Sequence, residues 1–275
     1  MRTSFPSSIS ASEPAFDPRS ATAVEGRPVW SQHPPHPAIA AHVSAYWTVE
    51  LRGPRHVIRT LPHACVDLTL DLTGPVRAHV AGPQKKPRAR QLRGHVHLLG
   101  ARLFPGAAPL LGIDVQKLSD DWSPLDRFCG ARDVRRLVDS VSRAEGLAAR
   151  IGAFDLFLID RFLNRQIDPR LSRALRRCFA EQGALSVATL ARAIAVDART
   201  LGRLFRRWVG LSPKRFARIV RCQVALRDLG AGNGAALAAQ LGYFDQAHLI
   251  REFKELFGGT PTDARGFSSL LRPEP

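Results

Sequence analysis

Acidic side chains are in short supply in this chain. Against 40 Lys and Arg it carries 24 Asp and Glu, a formal net charge of +16 over 275 residues. The deficit is deepest in residues 170–275, where 18 basic face 8 acidic side chains (+10), against 22 and 16 (+6) before them. That distribution points to a polyanionic partner for the C-terminal part. Almost all the cations are arginine, which suits bidentate pairing with phosphate or guanine. A GC-rich coding sequence would explain part of the excess but not its clustering. Cysteine is scarce as well. Cys65, Cys129, Cys178 and Cys222 lie far apart and form no CxxC or Cys/His cluster, which excludes a disulfide framework or a structural zinc site and suggests buried thiols in a reducing compartment. No apolar run approaches the length of a membrane span, and the N-terminus lacks the continuous apolar core of a signal peptide. The expectation is a cytoplasmic, nucleoid-associated protein with no membrane partner. No Ser/His/Asp, phosphate-loop or reactive-Cys arrangement is present, so the chain does not read as an enzyme, and no cofactor is called for.

What is there divides into three parts. Residues 1–35, rich in Ser, Ala and Pro, cannot bury enough surface to offset chain entropy and read as disordered. Residues 36–166 read as a β-rich sensing or dimerisation domain. Stretches 43–49 and 65–72 alternate or are β-branched, 76–80 and 96–104 continue the pattern, and Gly-Pro pairs break it. The segment 84–93, with Lys85, Lys86, Arg88, Arg90 and Arg93 around Pro87, reads as a solvated loop. Residues 132–163 then show helical spacing, suited to packing on the sheet or on a twin subunit. Residues 167–270 read as an all-α domain. The expected class is therefore α+β, a β-rich N-terminal domain with packed helices followed by helices alone.

The C-terminal part contains one device twice. Shifted by 48 residues, Asp197 falls on Asp245, Leu201 on Leu249, Arg203 on Arg251, Phe205 on Phe253, Gly210 on Gly258 and Pro213 on Pro261, while Arg206 falls on Lys254 and keeps the charge. Each copy reads as short helix, tight turn, capped second helix, Gly stop and Pro restart. The spacing predicts helix-turn-helix units at about 186–209 and 235–257, joined by a helix over 213–229. A duplicated helix-turn-helix in a basic segment points to double-stranded DNA.

The apolar stripes fix which faces look outward. Leu201, Leu204, Phe205 and Trp208 belong inside the first unit, which leaves Arg199, Gly202, Arg203 and Arg206 outside. Leu249, Phe253 and Leu256 belong inside the second, which leaves Gln246, Ala247, His248, Arg251 and Lys254 outside. Arginine grips guanine O6/N7 and glutamine pairs with adenine N6/N7, so Arg199, Gly202, Arg203, Gln246, Ala247, His248 and Arg251 form the candidate base-contact set. Gly202 brings no side chain, so the first helix should read fewer bases. Arg206, Arg207, Lys214, Arg215, Arg218 and Lys254 form the candidate phosphate-contact set. A connecting helix of about 25 Å would hold the two readers near major-groove segments about 34 Å apart, with some bending of the DNA.

These residues resemble the AraC/XylS family of bacterial transcription regulators over about 170–267. The carrying motifs are Leu190-Ala191, Arg199-Thr200-Leu201-Gly202-Arg203-Leu204-Phe205-Arg206 and Gly210-Leu211-Ser212-Pro213. In the second copy they are Leu241-Gly242-Tyr243, Asp245-Gln246-Ala247-His248-Leu249, Arg251-Glu252-Phe253-Lys254 and Phe257-Gly258-Gly259-Thr260-Pro261. The resemblance implies base contacts at Arg199, Gly202, Arg203, Gln246, Ala247 and Arg251. Two residues depart from the pattern: Ala195 stands where the first turn usually has Gly, and Phe244 replaces a common Ser. The N-terminal part is similar to one branch of the family through Ala45-Tyr46-Trp47, Pro62 to Asp67-Leu68, Ala81-Gly82-Pro83, Phe104-Pro105-Gly106-Ala107 and Leu110-Leu111-Gly112. The implied partners are DNA, RNA polymerase, a small-molecule effector and a second copy of the chain.

Two rival readings concern the N-terminal part. His95 and His97 would share a strand face, with His63 or His79 as a third ligand, as in a small metal-dependent barrel enzyme. Alternatively that part is a protein-interaction module fused to a DNA-binding domain. No carboxylate ligand is identifiable for the first.

Overall fold

The computed structural model describes residues 22–24, 29–228 and 234–260. The expected disorder of residues 1–21 and 25–28, the helix end at Leu229, the restart at Pro261 and the domain end at 270 lie outside the described residues. The fold is α+β, a sheet unit followed by a helical one.

The main sheet holds six antiparallel strands in the order β2 (Val29–His33), β3 (Val43–Leu51), β8 (Val96–Leu103), β5 (Val66–Asp71), β6 (Arg77–Ala81) and β9 (Trp122–Pro124). One face carries Tyr46, Leu68, Leu70, Val80, Leu99, Ala101 and Leu103. Helices α3 (Ala131–Arg143) and α4 (Gly146–Phe162) cover it with Val134, Leu137, Val141, Phe154 and Leu158. Both helices follow the expected spacing, since their apolar residues recur every three to four positions. The other face carries Trp47, Val49, Leu51 and Val96, with Trp30 stacked on Trp47 at 5.7 Å between ring centres. On that face Arg102 donates to both Asp67 carboxylate oxygens at 2.8 Å, and Trp47 Nε1 donates to Asp67 Oδ1 at 3.2 Å. A buried ion pair on adjacent strands needs such added hydrogen bonds to offset its desolvation.

Two expectations are corrected here. Val29–His33 is a strand rather than part of a disordered lead-in, because its backbone pairs with β3 and Ser31 shares a 2.6 Å hydroxyl contact with Thr48. Arg88–Arg93 is likewise not a loop but strand β7, paired antiparallel with β4 (Arg55–Thr60), whose other edge receives β1 (Thr22–Val24). Backbone pairing sustains such a ribbon without apolar alternation, and charged edge strands guard against further pairing.

Six helices form the C-terminal unit: α5 (Pro169–Ala180), α6 (Val187–Ala193), α7 (Ala198–Val209), α8 (Pro213–Asp228), α9 (Gly234–Gln240) and α10 (Gln246–Phe257). Leu171, Leu175, Leu190, Leu201, Phe205, Phe216 and Ile219 pack the first half, and Val224, Leu237, Leu241, Tyr243 and Leu249 the second. The sheet unit is seated directly on these helices. Trp208 packs against both the sheet-unit core and the first helical core. Leu61 is buried among Cys222, Leu226, Phe253, Leu256 and Phe257. Gln223 Nε2 donates to the Pro62 carbonyl at 3.1 Å, and Arg215 donates to the Lys85 carbonyl.

Candidate nucleic-acid interface

The two outward helices are built by the same local chemistry. Asp197 and Asp245 sit in extended conformation before the first turn, and their carboxylates accept from the backbone N–H of Thr200 (2.8 Å) and His248 (2.6 Å). Each satisfies an otherwise orphaned donor at the positive end of the helix dipole. The backbone and hydroxyl donors of Thr200 hold the Asp197 carboxyl below its ordinary range, so the cap stays charged. At the far end Gly210 (φ 75°) closes α7 and Gly258 (φ 78°) closes α10, both in the left-handed region that favours glycine. Gly210 has a second reason to lack a side chain: a methyl there would lie 2.7 Å from the Val115 carbonyl oxygen of α1 (Val115–Leu118). Its own carbonyl accepts from Ser119 Oγ at 3.2 Å.

Between these stops Leu201, Phe205, Leu249 and Phe253 are fully buried. Arg199, Arg203, Arg206 and Arg207 on α7 are therefore exposed, as are Gln246, Ala247, His248, Arg251 and Lys254 on α10. Arg203 also reaches Thr200 Oγ1 at 3.2 Å. His248 lies edge-on to the Tyr243 ring at 5.2 Å between centres, and the Gln246 amide rests against Gly234 at the start of α9. Lys214 at the start of α8 is exposed.

Three members of the candidate sets are placed differently from expectation. Gly202 is buried, and the Arg206 guanidinium lies over it, 3.4 Å from the position a methyl would take. Arg218 donates to Glu252 at 2.9 Å and Glu255 at 2.7 Å, so it ties α8 to α10 instead of standing ready for phosphate. Burial works against its charge, but the two carboxylates more than offset that. Arg215 is half-buried against the sheet unit through its bond to Lys85. The sequence could not show these ties, because the partners lie between 34 and 130 residues away.

Sequence reasoning missed Glu252, which also accepts from Arg221 at 3.1 Å and from the Tyr243 hydroxyl at 2.8 Å, fixing the second unit's turn to its outward helix. Of the histidines of the rival metal reading, His95 and His97 lie near each other, 6.5 Å between ring centres, but neither His63 nor His79 completes a metal-holding group with them. His95 bonds Glu50 at 3.1 Å, His79 lies edge-on to Trp122, and His63 is buried with Nδ1 3.2 Å from the Cys65 carbonyl. Among the described residues no group of three or more His, Cys, Asp or Glu could hold a metal ion. Nor, among the described residues, is any helix long and apolar enough to cross a membrane.

Paired helix-turn-helix units with cations on both outward helices define a DNA-binding protein. Residues 190–266 match a helix-turn-helix domain family, and residues 31–123 match a domain of unknown function (DUF6597). The C-terminal match is to an AraC-type helix-turn-helix domain. No curated protein matches the chain. Among solved structures it is similar to the C-terminal domain of AraT, a response regulator from Geobacillus stearothermophilus (22% identity, 37% of this chain and 87% of that one, TM-score 0.34). It is similar over a like span to an AraC-type transcriptional regulator from Chromobacterium violaceum (23% identity, 38% and 96%, TM-score 0.34). Across nearly its whole length it is similar to ToxT from Vibrio cholerae (9% identity, 91% and 97%, TM-score 0.41).

Proposed function

We propose that this protein regulates transcription by reading two adjacent major-groove segments of DNA, one with α7 and one with α10. The observation that carries the reading is the duplicated presentation. Two helices with the same cap, the same buried stripe and the same glycine stop expose Arg203 and Arg251 at equivalent places. Arg199, Arg203, Gln246, Ala247, His248 and Arg251 are the base-contact set. Arg206, Arg207, Lys214 and Lys254 are the phosphate set, while Gly202, Arg215 and Arg218 leave the two sets for the reasons above. The domain limits follow the same reading, with residues 36–166 sensing or dimerising and 167–270 binding DNA. The seating of the sheet unit on α7, α8 and α10 supports modulation through the N-terminal domain. The outward face of α4, with Ala149 and Leu156 exposed and Leu163 exposed just past its end, supports a homodimer.

The test is selection of genomic fragments by the purified protein, repeated with Arg203→Ala and Arg251→Ala. The expected result is one motif spanning two groove segments, with each variant relaxing a different half at a cost of about 1–3 kcal/mol. Uniform weakening on all sequences would make both arginines phosphate contacts and overturn the base-reading assignment.

A further inference from the structure

The two turns of the duplicated device are not built alike. In the first, the left-handed residue is Ala195 (φ 55°), two positions before the cap Asp197. In the second it is Gly242 (φ 73°), three positions before the cap Asp245. Moving the left-handed residue by one position exchanges the sides of the residues that follow. In the first turn Ala195 is exposed and Val196 packs on the helical core. In the second Tyr243 turns inward, clusters with Leu249 and bonds Glu252, while Phe244 turns outward.

Phe244 is 94% exposed, more than the other exposed large apolar side chains described, Leu156 (70%), Leu163 (65%) and Trp122 (45%). An apolar residue just before a helix cap ordinarily packs on the fourth residue of the helix, here Leu249, but Tyr243 occupies that ground. The ring thus forgoes the stabilisation that burial would bring. The exposed residues beside it in the chain, Gly242, Asp245 and Gln246, add no large apolar side chain. Phe244 stands at the mouth of the helix that presents Gln246, Ala247, His248 and Arg251.

We propose that Phe244 is a specificity-determining residue that packs on the 5-methyl group of a thymine at the edge of the α10 half-site. A phenyl ring has no donor or acceptor to offer a base edge, and the thymine methyl is the one apolar group the major groove displays. The inference rests on the reading of α10 as a base-reading helix.

The experiment uses the full-length protein and the motif it selects, with each thymine of the α10 half replaced in turn by deoxyuridine, which removes only the methyl. One replacement should weaken wild-type binding about fourfold, the loss expected for one methyl group withdrawn from apolar contact. The same replacement should leave Phe244→Ala unchanged. The exposed position keeps that variant folded, which its melting curve checks. If every replacement acts equally on wild type and Phe244→Ala, the inference is wrong while the reading of α10 stands. If Phe244→Ala weakens all DNA alike, the ring lies on the backbone and the inference is again wrong. If the wild type selects no motif at all, the reading of α10 fails and takes this inference with it.

Discussion

His63 shows what burial does to a single ionisable group. It is 1% exposed, and desolvation, followed by the nearby Arg102 charge, pushes its pKa down from 6.5 to about 4. Between those values the unfolded chain takes up a proton that the folded chain refuses, so stability rises with pH across that window. The contribution is complete above about pH 6.5 and is lost as the pH falls toward 4, by roughly 3 kcal/mol in all. Urea denaturation of the wild type at pH 7 and pH 4.5 should show this fall, and His63→Gln should flatten it. An equally steep fall in the variant would put the sensitivity elsewhere. Asp67 acts at lower pH. Burial raises its carboxyl, the Arg102 guanidinium more than reverses that, and the stability this pair lends is present above the usual aspartate range and lost on acidification below it.

At the scale of elements, α4 has two faces with different tasks. Phe154, Leu158 and Phe162 are spent on the sheet, and the Tyr46 ring lies tilted against Phe154 while its hydroxyl donates to Asp155. The opposite face leaves Leu156 and Leu163 in solvent, and a methyl on Gly152 would meet nothing within 4 Å. Sedimentation equilibrium should find a dimer for the wild type and a monomer for Leu156→Asp with an unchanged melting profile. A wild-type monomer at micromolar concentration would overturn the homodimer.

Legibility in the sequence also differs by element. The helices of the C-terminal unit were readable because cap, apolar period and glycine stop all fall within about a dozen residues and agree with one another. Strands β3, β5 and β8 were readable because burial on both faces leaves a run of apolar and β-branched residues. Strands β4 and β7 were not, since an arginine-bearing ribbon owes its form to backbone pairing between residues 28 to 38 apart in sequence. Of the interface, the outward cations were legible from periodicity. The engagement of Arg215 and Arg218 was not, and neither was the inversion at Phe244, which turns on where one left-handed residue falls.

At the scale of the whole molecule, the sheet unit and the helical unit share side chains. Leu61 leaves the sheet unit to complete a cluster made otherwise by α8 and α10. Leu61→Ala should cost about 3 kcal/mol in stability and should change the affinity of the full-length protein for its selected DNA, although the residue is remote from the outward faces. Unchanged affinity in a destabilised variant would show the two units to be energetically separate.

The ends of α7 and α10 opposite their caps both lie near residues 83–87 of the sheet unit. Ser119 bonds the Gly210 carbonyl, a methyl on Gly210 would meet Val115 and Pro83, and a methyl on Gly258 would come within van der Waals reach of Pro87. For heritable variation this makes the two halves of the gene unequal. A codon change on either outward helix edits one reader, whereas a change at 83–87 bears on the seating of both at once. Selection can therefore retune one groove contact at a time from within the helical unit, but can shift the pair together only from outside it.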